Sequence, residues 1–169
     1  MTPLTTERLT LRRLTLDDGK FILALLNEPS FIEMIGDRGV RTVEEAQGYI
    51  RKGALASYER FGFGMYLTAL KADGTPIGIC GLLKRDTLPD IDIGFAFRPA
   101  FWRQGYAYES CVAVIEQGRR EFGVKRLVAI TSQENIGSGK VLEKLGLRFE
   151  KTIRLTDDGE ELRLFSRDY

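Results

Sequence analysis

Trp102-Arg103-Gln104-Gly105-Tyr106-Ala107 is a run whose residue types and placing suit an anion. It stands between a strand-like segment, residues 91–98, and a helix-like one, residues 107–122. A glycine and small residues at such a turn let backbone N–H groups come close to a ligand. The first helical turn leaves several N–H groups without internal partners, at the positive end of the helix dipole. Arg103 adds a forked cation suited to phosphate. The chemistry expected here is a phosphate cradle made largely of backbone. Acid–base chemistry beside it is narrowly limited, because the chain contains 0 histidines. Ser-His-Asp and Cys-His catalysis and every His-containing metal site are therefore excluded. Cys80 and Cys111 are too few for a four-cysteine zinc site, so no metal is expected. Proton transfer falls to Asp, Glu, Tyr, Lys, Cys, a hydroxyl or water.

Two other glycine-rich runs do not hold phosphate. Gly137-Ser138-Gly139-Lys140 has Glu134 where a P-loop needs its first glycine and Val141 where it needs Ser or Thr for magnesium. Gly62-Phe63-Gly64 lacks a third glycine and precedes a strand, so it is no dinucleotide fingerprint. The 169 residues suit one domain, with a hydrophobic fraction of 43% to supply its core. Lys plus Arg total 25 and Asp plus Glu 24, a net charge of +1 that argues against bulk nucleic-acid or membrane binding. No signal-peptide pattern or membrane-length apolar run is present, and two cysteines without a secretory context suit a reducing cytoplasm.

The elements that must position the cradle follow from periodicity and punctuation. Residues 8–14 alternate as a first strand, and residues 15–18 start a short helix ending near Asn27, before Pro29. Thr42-Val43-Glu44-Glu45 has capping-box spacing and opens a second helix through Tyr58. Between them, residues 36–39 form a loop. Residues 63–71 and 77–84 read as a hairpin around Asp73-Gly74, and residues 90–98 as a third strand. The helix from Ala107 shows Cys111, Val114, Ile115, Gly118 and Phe122 on one side. Residues 126–131 read as a buried strand and 138–145 as a helix stopped by Gly146. Residues 147–154 and 160–166 close the chain as a hairpin around Asp157-Asp158-Gly159. The order is β-α-α-β-β-β-α-β-α-β-β, a mixed-sheet α+β domain in which the strands joined by the cradle helix are parallel neighbours.

Trp102 to Glu109 resembles the W-G-x-G-Y-A-x-E acyl-CoA loop of the GNAT N-acetyltransferases, in particular their RimJ/RimL-like branch, which includes acetyltransferases of ribosomal-protein N-termini. Asn135 to Leu147 is similar to the family's N-x-x-S-x-x-V-L-E-K-L-G-F. Thr6-Glu7-Arg8-Leu9-Thr10-Leu11-Arg12 resembles the branch's opening T-E-R-L-x-L-R, and Asp92-Ile93-Gly94-Phe95 its E-I-G-Y. The resemblance covers essentially the whole chain, residues 1–169. It departs at Trp102, Arg103 (glycine in the branch), Asp92 (a shorter acid) and Leu147. Leu142 stands where many members carry a tyrosine acid.

The resemblance implies a central, mostly antiparallel sheet flanked by helices, with a parallel strand pair splayed at the acetyl-CoA site. It implies transfer of an acetyl group from acetyl-CoA to a primary amine, on a protein N-terminus or a small molecule, by direct attack in a ternary complex. Phe95, Ala96 and Phe97 would offer backbone to pantetheine and the acetyl carbonyl. The amides of Arg103, Gln104, Gly105, Tyr106 and Ala107 would hold the pyrophosphate. Ser138 would hydrogen-bond the developing thiolate, its bland role being a helix-start residue bonding local backbone. Asn135 is either a cap or a pantetheine ligand. Asp92 is the candidate base, directly or through water, with Asp90 in reserve on the same strand face. Glu109 reads as structural, in the first helical turn. Tyr106 and Tyr108 are expected to pack, with flanking of the CoA as the alternative, and Cys111 is an inert core residue. Residues 27–47, with Arg38 and Arg41, would set acceptor choice together with the last hairpin. The expected assembly is a monomer or homodimer. The alternative is a non-catalytic acyl-CoA-binding sensor or regulatory module.

Overall fold

Leu9 and Leu11 lie two residues apart and are both wholly buried, as one face of a strand requires. In the computed structural model, which describes residues 1–169, they belong to β2 (Leu9–Arg13), preceded by a short edge strand, β1 (Leu4–Thr5). Next come α1 (Gly19–Leu26), α2 (Pro29–Met34), α3 (Val43–Ile50) and α4 (Ala56–Phe61), then β3 (Met65–Leu70), β4 (Pro76–Leu83) and β5 (Asp92–Phe97). The chain continues with α5 (Tyr106–Phe122), β6 (Arg126–Ser132), α6 (Ile136–Lys144), β7 (Arg148–Ile153) and β8 (Leu162–Asp168). All strands form one 8-stranded sheet in the order β1-β2-β3-β4-β5-β6-β8-β7. Every neighbouring pair is antiparallel except β5 and β6. The α+β architecture and its parallel pair are as the sequence predicts. No helix is long and apolar enough to cross a membrane.

Several local expectations are revised. Pro29 does not merely end a helix; it is the first residue of α2, where its missing N–H costs nothing. The single helix expected from Thr42 to Tyr58 is α3 and α4 joined by a π-helical segment, Arg51–Leu55. Only half of the Thr42 capping box forms. Thr42 Oγ1 accepts from the Glu45 N–H at 3.1 Å, while Glu45 Oε1 accepts from the Arg41 N–H at 3.2 Å. β5 begins at Asp92, so the expectation that Asp90 shares a strand face with it is corrected. Asp90 lies outside the strand, with its carboxylate 3.2 Å from Arg126 Nε, and Arg126 also holds Glu150 and Asp168. A carboxylate tied into that cluster is not a free base.

Alternation sorts the sheet into two faces. Cys80 of β4 has its Sγ 3.7 Å from Cys111 Sγ of α5, and the Tyr66 hydroxyl of β3 donates to Gln117 of α5 at 3.1 Å. Ile79, Leu83 and Met65 therefore turn the other way, where they share a cavity with α3 and α4. α6 covers the same face as α5, with Phe165 of β8 close beneath Gly139. Burial raises the Cys111 thiol well above its ordinary range, so this sulfur stays protonated and unreactive.

Candidate active site

β5 and β6 are parallel, so their C-terminal ends lie at the same end of the sheet. The cradle follows β5, and Asn135 and Ser138 follow β6, which brings two sequence blocks together on either side of one strand boundary. The two strands pair in register only at Asp92 and Val128, where the Val128 N–H donates to the Ile91 carbonyl at 3.1 Å. Beyond that position they part. By alternation from Ile91, Phe95 and Phe97 turn their N–H groups into the gap. Ala96 pairs with Ile79 of β4 and offers the gap no backbone.

The cradle is open for binding. None of the backbone N–H groups from Arg103 to Tyr108 donates to a protein acceptor, and the first helical donor, Glu109, reaches the Gly105 carbonyl at 3.0 Å. Gly105 has φ +82° and Arg103 φ +61°, so both curl into the left-handed region and concentrate donors on one concave side. That conformation favours glycine, so Arg103 holds its place with backbone strain. The loop is tied down around its donors. Trp102 Nε1 donates to the Phe97 carbonyl at 2.8 Å, and Gln104 Nε2 to the Ala100 carbonyl at 3.1 Å.

Glu109 is the structural hub of the cradle. It accepts from the Thr6 hydroxyl at 2.5 Å, the Arg8 N–H at 2.9 Å and Arg8 Nε at 2.8 Å. Burial opposes its charge, but these hydrogen bonds prevail and hold the carboxyl below its usual range. Arg8 also donates to the Gln104 carbonyl at 2.9 Å and lies 4.3 Å from the centroid of the Tyr106 ring. The opening block, Thr6 to Arg8, is thus part of the cradle's foundation. On the other side, Lys144 Nζ of α6 sits 4.3 Å from the Tyr108 ring centroid of α5.

Asn135 caps α6, its Oδ1 accepting from the Ser138 N–H at 3.2 Å. The Ser138 hydroxyl is half-buried and has no protein partner, so it does not bond local backbone. Asp92 is 1% exposed, and its register with Leu83 puts it on the face opposite α5. Burial pushes its carboxyl up to about 6, against the pull of Arg85, whose Nε is 3.2 Å from both carboxylate oxygens. One shared N–H leaves lone pairs of Asp92 free to take a proton. Sequence reasoning missed Thr131 and Ser132 at the end of β6, whose hydroxyls are buried without a partner beside the parting strands. Unsatisfied buried hydroxyls are the signal, and that signal exists only in three dimensions. Arg41 is committed to Asp37 at 2.6 Å and Asn27 at 2.9 Å, while Arg38 is exposed.

A cavity of about 320 Å³ opens on the Asp92 face, between the α3–α4 segment and the ends of β3 and β4. A larger one, about 670 Å³, runs along α5 from Tyr108 to Gly123, beside Lys144 and Tyr169. It reaches Tyr108 at the end of the cradle, but no residue of the parting strands lines it.

Comparison with known proteins agrees with this geometry. Residues 8–148 match the model of an acetyltransferase (GNAT) domain. An N-acetyltransferase of Bacillus subtilis, YnaD, itself uncharacterized, is 29% identical over 147 residues, covering 87% of this chain and 83% of its own. An acetyltransferase structure from Agrobacterium tumefaciens superposes with a TM-score of 0.83 at 24% identity, covering 100% of this chain and 95% of that one. RimL, a ribosomal-protein alpha-N acetyltransferase solved in complex with coenzyme A, gives 0.85 at 17% identity, covering 98% and 97%.

Proposed function

The chain belongs to the acetyl-CoA-dependent GNAT acetyltransferases, and from that premise we propose that it acetylates a primary amine, on a protein N-terminus or a small molecule, by direct attack on acetyl-CoA in a ternary complex. The observation that carries the reading is the meeting of an open amide cradle with two strands that part beside it.

The amides from Arg103 to Tyr108 hold the pyrophosphate, with the α5 dipole behind them. The Phe95 and Phe97 N–H groups pair with the pantetheine arm and polarise the thioester carbonyl. Asp92 takes the ammonium proton from the opposite face of the sheet, directly or through water. A carboxyl near 6 is mostly ionised at pH 7, yet basic enough to help. The amine attacks the carbonyl carbon, the C–S bond breaks, and the Ser138 hydroxyl hydrogen-bonds the departing thiolate. Much of the rate comes from holding amine and thioester together.

The test is release of free CoA thiol from acetyl-CoA over a panel of amines and N-terminal peptides. Turnover of at least one acceptor, with an acetylated amine identified by mass, is expected. Tight CoA binding with no turnover of any acceptor would refute the proposed chemistry.

A further inference from the structure

The cavity on the Asp92 face has an apolar floor and a one-sided charge. Met65, Ile79 and Leu83 form part of its wall, and its charged lining consists of Lys52, Arg60, Lys84 and Arg85, with no Asp or Glu. Two of these cations are already engaged. Lys84 Nζ donates to the Arg85 and Leu88 carbonyls at 3.0 and 2.7 Å, and Arg85 holds Asp92. Lys52 and Arg60 have no carboxylate partner anywhere in the molecule, and the Arg60 guanidinium merely rests 4.8 Å from the Phe61 ring centroid. Lys52 sits in the π-helical segment Arg51–Leu55, the one widened turn of a long helix. Such widenings recur at functional sites because they re-aim side chains. The chain's net charge of +1 makes the local excess a feature of the cavity and not of the whole surface.

We infer that this cavity receives the acceptor, and that the acceptor carries a side-chain carboxylate on the residue that bears its amine. The inference rests on the acetyl-transfer reading above and adds the acceptor's class to it. The amine end lies toward Asp92, past Leu83 and Arg85. The carboxylate lies toward the mouth, between Lys52 and Arg60, where Tyr49 also lines the cavity. At about 320 Å³ the space is at the small end of ligand sites, enough for one amino-acid-sized group. Forked and point cations without internal partners are the groups that recognise carboxylates. A second cationic group at the mouth would meet Lys52 and Arg60 with the wrong sign.

The experiment compares turnover of glutamate, glutamine, agmatine and spermidine, together with short peptides beginning in Glu or Gln. A higher kcat/KM for glutamate than for glutamine, on the order of tenfold, is expected from one added charged contact. Preference confined to the peptides would identify a protein N-terminus as the source of the carboxylate; preference among the free amino acids would identify a small molecule. In Lys52→Gln/Arg60→Gln the ratio should fall toward one, and in Lys52→Glu/Arg60→Glu it should reverse in favour of agmatine. Equal or better turnover of agmatine or spermidine by the parent enzyme, or an unchanged ratio in the double variants, overturns the inference while leaving acetyl transfer standing. If no amine is turned over, acetyl transfer itself fails, and calorimetric titration decides the cavity separately: glutamate binding no tighter than glutamine overturns it.

Discussion

Asp92→Asn replaces a carboxylate that is 1% exposed by an amide of nearly the same shape. Burial raises the Asp92 carboxyl from 3.8 to about 6. At 1.36 kcal/mol per pKa unit, ionising it inside the fold costs about 3 kcal/mol relative to the unfolded chain. The sign follows from proton binding. A carboxyl whose folded value is raised keeps its proton longer in the native state, so its contribution to stability is greatest below pH 4. That contribution is lost as pH rises toward 6 and is flat above. The asparagine variant has no such loss. Its stability relative to the parent should therefore grow by about 3 kcal/mol between pH 4 and pH 7, a gain of roughly 6–10 °C in Tm for a chain of this size. Arg85, one-third exposed, keeps water as its partner when the carboxylate is gone. The same substitution should lower kcat/KM by about 100-fold, the usual contribution of a positioned base. It should also abolish the acidic limb, in which the parent loses activity tenfold per pH unit below about 6. Urea titrations at both pH values and a pH–rate profile measure all three. A variant no more stable than the parent at pH 7 would refute the burial argument. One that keeps the acidic limb would remove Asp92 from the chemistry.

Gly105→Ala puts a Cβ at φ +82° and 3.3 Å from an Arg8 guanidinium nitrogen; it should cost about 1–2 kcal/mol in urea unfolding. It should also raise KM for acetyl-CoA roughly tenfold, the loss of one charge-assisted hydrogen bond. Arg103→Gly relieves a left-handed conformation at φ +61°, partly offset by a more flexible unfolded chain, for a net gain of about 0.5–1 kcal/mol at unchanged denaturant slope. Ser138→Ala leaves the Asn135 cap intact, so stability should hold while kcat falls on the order of tenfold, the worth of one hydrogen bond to a developing charge. An unchanged kcat would return Ser138 to a purely local role.

What the sequence made legible was local. The strand–cradle–helix run, the Asn135 cap and the alternation of the hairpin strands depend on residues a few positions apart, and the structure places them within a few residues of expectation. Pro29 was legible as punctuation but ambiguous in direction, because the same missing N–H ends one helix and begins another. The π-helical turn was hidden because Arg51–Leu55 carries no proline or other local signal that distinguishes it from an ordinary helical turn. Asp90 and Asp92 share strand parity on paper; only the contact between Asp90 and Arg126, 36 positions apart, separates their fates. Thr131 and Ser132 look like ordinary strand hydroxyls until the parting of β5 and β6 leaves them without partners.

The tie from Thr6 and Arg8 to Glu109 joins positions 103 and 101 residues apart. During synthesis, Thr6 and Arg8 emerge long before Glu109, so the cradle's foundation closes only once the opening strand docks back onto α5. Loop closure over that distance is slow and entropically opposed, so the donor-binding end of the molecule belongs to the late steps of folding. Acetyl-CoA would then be gripped only by chains whose beginning and middle have met.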